Sequence, residues 1–403
     1  MRAFLAELPQ QGRRALLAAF AGWTLDAMDF VLYLMAIPAL RAHFGFDQKT
    51  AGLLATVALL SSAVGGVFFG WLADRIGRTR ALSATVLVYS FASLGSATSG
   101  SVTELLMWRT LLGFGLGGEW SAGSVLVAES VPAKHRGKAI GLMQSGWAVG
   151  YILAALLAAV LLPLVGWRGL FAAGVLPAFL VVFIRRNLEE PATFVREKPA
   201  FRLRSLFVPP LLSRTLVATL LSSAVMFGYW GLFTWLPSFL ASPIEKGGAG
   251  LSLVRSTAFL VPMQLGAFFG YLSFGCVADR VGRKPAFVAY LLAAAAIVPV
   301  YGQLARTPVF LFALGPVLGF AGHGYFSLFG AQLAELFPTA VRATAQGLCY
   351  NAGRAVSAIA PFTVGAVADV HGIGSALALT SGFFLLGCVL VTLLPETRAA
   401  ELS

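Results

Sequence analysis

Apolar residues run along this chain in long unbroken blocks, with neither the alternation of a strand nor the single stripe of a surface helix. Stretches at 50–73, 81–103, 139–167, 215–244, 256–278, 285–305 and 370–395 lack Lys, Arg, Asp and Glu altogether. Each is of spanning length, since about 20 apolar residues cross a bilayer as a helix. A soluble protein buries one such helix, not this many. With the charge-bearing segments added, the pattern predicts twelve spans, at 15–40, 50–72, 80–98, 104–129, 138–163, 168–186, 214–240, 256–277, 285–304, 308–334, 344–367 and 375–394. The expected fold is an all-α membrane protein of 12 transmembrane helices.

Composition agrees: 58% of residues are hydrophobic and 11% charged, where a soluble domain carries about 25% charged residues. The net charge of +12 would suit nucleic acid if it were clustered on one surface, but it follows topology instead. With both termini on one side, that side holds 21 of the 29 Lys and Arg, and six lie opposite. This positive-inside bias predicts cytoplasmic N and C termini in the cell (inner) membrane. Cys276, Cys349 and Cys388 fall within or beside apolar spans, so no disulfide framework or metal site is implied.

The chain repeats itself. "GWLADRIGRTRA" returns as "GCVADRVGRKPA", carrying Asp74, Arg75, Gly77 and Arg78 onto Asp279, Arg280, Gly282 and Arg283, 205 residues later. "GFGLGGEWSAGSVLVAESVPAKHRGKAIG" aligns with "GFAGHGYFSLFGAQLAELFPTAVRATAQG", matching Glu129 and Arg136 to Glu335 and Arg342 at an offset of 206. Two independent blocks at nearly one offset predict two six-helix bundles, 1–186 and 214–403, joined by a cytoplasmic linker at 187–213. Parallel repeats place a substrate site between the halves near the midplane. The linker mixes both charge signs with Phe194, Phe201 and Phe207 and is expected to lie partly helical on the membrane surface.

These motifs resemble the major facilitator superfamily over nearly the whole chain, through the D-R-x-G-R loop in both halves and "ESVPAKHRG" after the fourth span. Within it, "WTLDAMDF", "GFGLGGEW" and "YNAGR" resemble the proton-coupled organic-acid symporters, particularly lactate and sialate permeases. The resemblance implies a cytoplasmic gate built from Asp74, Arg75, Arg78, Glu129 and Arg136 and their counterparts Asp279, Arg280, Arg283, Glu335 and Arg342. Asp74 lies at the unfavourable C-terminal end of its own helix and should seek a helix N-terminus or an arginine.

Ionisable residues inside spans are costly, so each marks a candidate function. Arg354 lies near midplane, and its guanidinium fork matches a carboxylate. Asn351 and Tyr350 stand beside it at helical spacing. His323, Tyr33, Tyr229 and Trp230 are further candidates for contact with substrate. Asp26, Asp29 and Glu119 suit proton exchange. Three acids face two arginines, Arg354 and Arg109, so one acid is left to be stabilised by a proton; which one stays open. Arg109 is expected as a charge partner. The alternatives for these residues are structural: a permanent ion pair, a hydrogen-bonded core histidine, or interfacial aromatic anchors.

No G-x-x-x-x-G-K-[ST] occurs, so transport would be driven by a gradient rather than a nucleotide. No metal-ligand cluster or nucleophile pair supports an enzyme, and no cofactor is expected. The reading is a secondary active transporter taking up a small organic acid anion, a monocarboxylate such as lactate or a sialate-like acid, with a proton, as a monomer by alternating access. A facilitator or exporter of another solute, aromatic or drug-like, and a non-transporting membrane sensor are the competing readings.

Overall fold

A computed structural model describes residues 2–132, 135–190, 206–304, 307–337 and 342–397, and among them the chain is helical with no strand. The first half comprises α1 (Arg2–Glu7), α2 (Gln10–Phe44), α3 (Gln48–Ile76), α4 (Arg78–Ala97), α5 (Val102–Ser130), α6 (Arg136–Ala172) and α7 (Ala178–Asn187). The second comprises α8 (Leu211–Ala241), α9 (Leu253–Val281), α10 (Arg283–Pro299), α11 (Pro308–Gly324), α12 (Phe326–Leu336), α13 (Arg342–Ser357), α14 (Ala360–His371) and α15 (Ile373–Thr392).

These helices make the twelve spans. Six apolar segments qualify on length and composition alone, and one of them, Lys138–Ile184, holds the fifth and sixth spans together. The remaining five are α4, α5, α9 and the pairs α11/α12 and α13/α14, which carry charge, small polar residues or a break. Spans five and six were expected as separate helices. They are separate: the backbone leaves the helical region at Gly166 (φ 68°, ψ −172°), and the chain kinks there between them. Large side chains such as Phe91, Leu164, Phe179 and Val309 are exposed on the outside of the bundle, where a bilayer supplies the apolar solvent.

Helix pairing repeats between halves: α3 packs on α5 as α9 packs on α11, and α2 packs on α6 as α8 packs on α13 and α14. Glycine permits the close approach. Side chains added at Gly65 and Gly113 would collide with the Phe114 and Ala58 carbonyls, and at Gly270 and Gly319 with those of Phe320 and Met263. The halves meet where α6 lies on α9 and where α3 lies on α13 and α14.

The duplicated loops fold alike. Gly77 and Gly282 take φ of 108° and 103°, positive values that glycine adopts without strain. Their N–H groups bond Ala73 O and Ala278 O. Glu190 accepts from the backbone N–H of Arg78 and Thr79, and Glu396 from those of Arg283 and Lys284. The two glutamates are themselves 206 apart in the sequence, and each places its charge on a positive helix N-terminus. Of the linker, residues 191–205 lie outside the described residues, and α8 begins at Leu211, three residues earlier than expected.

Candidate functional site

Helices of both halves wall a narrow cavity. The first half contributes Trp23 from α2 and Gln144 and Trp147 from α6. The second contributes Tyr229 and Trp230 from α8, Tyr271 from α9, Phe326 from α12, and Tyr350 and Arg354 from α13. The rings interlock: Trp23 and Trp147 centroids lie 5.1 Å apart, and Trp147 meets Trp230 edge-on at 5.7 Å. Trp120 of α5 stacks on Tyr350 at 4.1 Å and 9°, bridging the halves. Offset stacks of this kind contribute about 0.5–1.5 kcal/mol beyond area burial.

Arg354 sits one turn before the break between α13 and α14, where Pro361 cannot continue the hydrogen-bond ladder. Its guanidinium lies 5.0 Å from the Tyr350 ring centroid, and Nη2 donates to Tyr350 OH at 3.4 Å. Nε has no partner, and among the described residues no carboxylate pairs with Arg354 within 4.0 Å. It is therefore a buried cation (5% exposed) with donors to spare, lining a cavity. Such a group binds an anion or is a liability.

The other expected contacts divide. Tyr229, Trp230 and Tyr350 line the cavity with Arg354. Asn351 instead donates to Gly347 O and turns its Oδ1 toward Gly66 of α3. Tyr33 donates to Ala51 O at 2.7 Å and packs its ring against Arg109, away from the cavity lining. His323 stands one layer behind, its Nδ1 3.0 Å from Gly319 O and its ring 5.1 Å from Tyr229 and 4.1 Å from Phe233. Trp23, Gln144, Trp147, Tyr271 and Phe326 were not anticipated. The glutamine in the uncharged stretch "GLMQSGWAVGY" was the available signal for Gln144.

The three acids are buried, each 3% exposed or less. Ser93 Oγ donates to Asp29 Oδ1 at 3.0 Å, and Thr85 Oγ1 to Glu119 Oε2 at 3.3 Å, leaving Asp29 Oδ2 and Glu119 Oε1 unpartnered. Asp26 lies within electrostatic reach of Arg354, Asp29 and Glu119, and Asp29 within that of Arg109. Arg109 does not form an ion pair within 4.0 Å among the described residues. It packs over Tyr33 at 4.5 Å and Phe30 at 5.8 Å, with Nε and Nη2 unpartnered.

At the loop face, Arg283 pairs with Glu335 at 3.1 Å, and Thr397 donates to the same carboxylate at 2.6 Å. Arg78 is buried and donates to Ala73 O, while Arg75 and Arg280 are exposed and Arg75 lies over Trp71. The side chains of Asp74, Asp279, Glu129, Arg136 and Arg342 lie outside the described residues.

The sequence profile of the Major Facilitator Superfamily matches residues 19–273 and, again, 246–402. The chain belongs to this superfamily. This major facilitator protein is 35% identical to a Haemophilus influenzae protein named for metabolite transport, over 97% of this chain and 98% of that one. It is 34% identical to a Cupriavidus pinatubonensis protein named for 4-methylmuconolactone transport (99% and 94% covered) and 30% identical to the cis,cis-muconate transport protein of Acinetobacter baylyi (95% and 94%). Among solved structures, a bacterial homologue of the human lysosomal transporter Spinster aligns at a TM-score of 0.74 and 16% identity, over 96% of this chain and 97% of that one. That likeness fixes the fold. The protein is a multi-pass membrane transporter of this superfamily, not an enzyme.

Proposed function

We propose that the protein is a proton-coupled symporter that takes up a small, flat organic acid anion by alternating access, working as a monomer in the inner membrane with both termini cytoplasmic. The observation that carries this is Arg354: a buried guanidinium, free of any carboxylate partner among the described residues, on the wall of an aromatic-lined cavity between the halves. A carboxylate completes its fork, and flat rings such as those of Trp23, Trp147 and Trp230 favour a planar, unsaturated body over lactate or a bulky sialate. Relatives named for muconate and a muconolactone point the same way. The acids of the first half supply the proton site, and the second half supplies the anion site, so movement of one half against the other couples the two ligands. The linker 187–213 joins the moving halves, and the duplicated loop motifs, with Arg78, Arg283 and Glu335, form the cytoplasmic gate. The Lys and Arg bias supports the orientation.

Uptake of labelled benzoate, muconate, lactate and sialate into proteoliposomes under an imposed proton gradient tests the reading. A planar acid should accumulate, with protons following it inward. Arg354→Lys keeps the charge but loses the fork, and should weaken binding at least tenfold, because a charge-assisted hydrogen bond is worth roughly 1.5–3 kcal/mol. Unchanged affinity in folded Arg354→Ala protein would remove Arg354 from the site.

A further inference from the structure

Gln144 faces the same cavity as Arg354 from the opposite half, and its orientation is fixed. Trp120 Nε1 lies 3.2 Å from Gln144 Oε1. An indole N–H donates only, so the amide atom facing it must be the oxygen. The Gln144 NH2 group is thereby turned away from Trp120. No hydrogen bond to it is made among the described residues, though the residue is only 4% exposed and lines the cavity. Trp120 in turn stacks on Tyr350, whose hydroxyl meets Arg354. In this conformation one chain of contacts, Gln144–Trp120–Tyr350–Arg354, therefore places a neutral donor and a cationic donor on either side of a 4.1 Å ring stack.

Charge decides what the second donor reads. Arg354 is the cation of the cavity lining, and Asp26 lies near enough to act on it electrostatically. A second carboxylate at Gln144 would find a dipole instead of a counter-charge. A neutral acceptor (a ring nitrogen, lactone carbonyl or hydroxyl oxygen) would satisfy the amide without adding charge.

Building on the proposed anion site, we propose that Gln144 is a specificity-determining residue: the substrate is a planar monocarboxylate bearing a neutral hydrogen-bond acceptor away from its carboxylate, and Gln144 donates to that acceptor.

Benzoate and the three pyridine-carboxylates test this, because they share ring and carboxylate and differ in one acceptor atom. Their displacement of radiolabelled benzoate is measured on the full-length protein in lipid nanodiscs. At least one pyridine isomer should bind about three- to tenfold more tightly than benzoate, the range of one neutral hydrogen bond in a buried site. Gln144→Leu should abolish or reverse that preference, read as the ratio of pyridine-isomer to benzoate affinity whatever shift the two acids share. Trp120→Phe keeps an aromatic ring on Tyr350 but frees the amide to turn, and should blunt the same ratio. A wild type that favours no isomer overturns the inference, as does a Gln144→Leu that weakens both acids by one factor, as lost packing alone would. Benzoate binding that needs Arg354 yet shows no isomer preference sinks the Gln144 role and leaves the anion site standing. Benzoate binding indifferent to Arg354→Ala, or no binding at all, takes both down.

Discussion

Asp29 and Glu119 are each held by a hydroxyl and not by a cation. A hydroxyl donates to a carboxylate and can turn to accept from a carboxylic acid, so neither site needs to come apart when its proton leaves. A permanent arginine pair would have fixed the charged form. Inside the spans two arginines, Arg109 and Arg354, stand against three acids, and an unpaired carboxylate at membrane depth costs several kcal/mol. A proton on one acid offsets that cost. For Glu119→Gln or Asp29→Asn, which mimic the protonated form, we expect uphill uptake under a proton gradient to be lost while substrate exchange across the membrane persists. Full accumulation in both variants, and in Asp26→Asn, would show that these acids do not carry the proton. The ionisable members of the site were legible in the sequence because a charge inside an apolar run contrasts with everything around it. Trp147 and Phe326 offered no such contrast, since aromatics are ordinary in membrane helices and only the packing of six helices selects those that face inward.

At the level of elements, the twelve spans and the duplication were readable from hydropathy and the offsets of 205 and 206, because spanning length and repeat spacing are properties of the sequence itself. The breaks were not. Spans ten and eleven are each interrupted, at Tyr325 beside His323 and at Ala358–Ile359 beyond Arg354. At the second breakpoint the cause is Pro361, which has no N–H to continue the ladder. Interruptions of this kind are tolerated at membrane depth where protein packs around them. The packing glycines make a sharper test of the repeat. Valine at Gly113 or Gly319 would drive a side chain into the carbonyl of Ala58 or Met263. Each should cost about 1–3 kcal/mol, the usual range for overpacking, seen as a lower melting temperature in detergent. Gly382 has open space around its missing Cβ, so Gly382→Ala should be neutral or gain up to about 1 kcal/mol from helix propensity. Equal tolerance at all three positions would mean that α3/α5 and α9/α11 are not packed this closely.

For the molecule as a whole, the end of the bundle carrying residues 45–52 is where the halves grip each other. The first turn of α3 presents its N–H groups there, and two carboxylates divide them. Asp47 of the same half accepts from the Thr50 N–H, and hydrogen bonds from the Thr50 side chain and then its backbone hold the carboxyl below the ordinary carboxylate range. Asp369, from α14 of the other half, accepts from the Lys49 N–H at 3.3 Å. Nearby, Lys49 Nζ lies 5.5 Å from the Phe362 ring, and Gly52 and Gly365 bring the two backbones against the Pro361 and Gln48 carbonyls. The division of labour suits a contact that must open. When α14 withdraws, Asp47 still caps α3, so the loss of Asp369 contributes only the second, solvent-exposed carboxylate at a helix N-terminus, about 0.3–1 kcal/mol. Asp369→Asn should therefore shift the balance toward opening at this end by no more than about fivefold, read as faster labelling of a cysteine placed on the cavity wall. Tying the two sides together should have the opposite effect. In a chain with Cys276, Cys349 and Cys388 replaced, cysteines at Lys49 and Asp369 joined by a cleavable dithiol cross-linker should stop transport in both directions, and cleavage should restore it. Undiminished exchange in the cross-linked protein would mean that the halves do not part here.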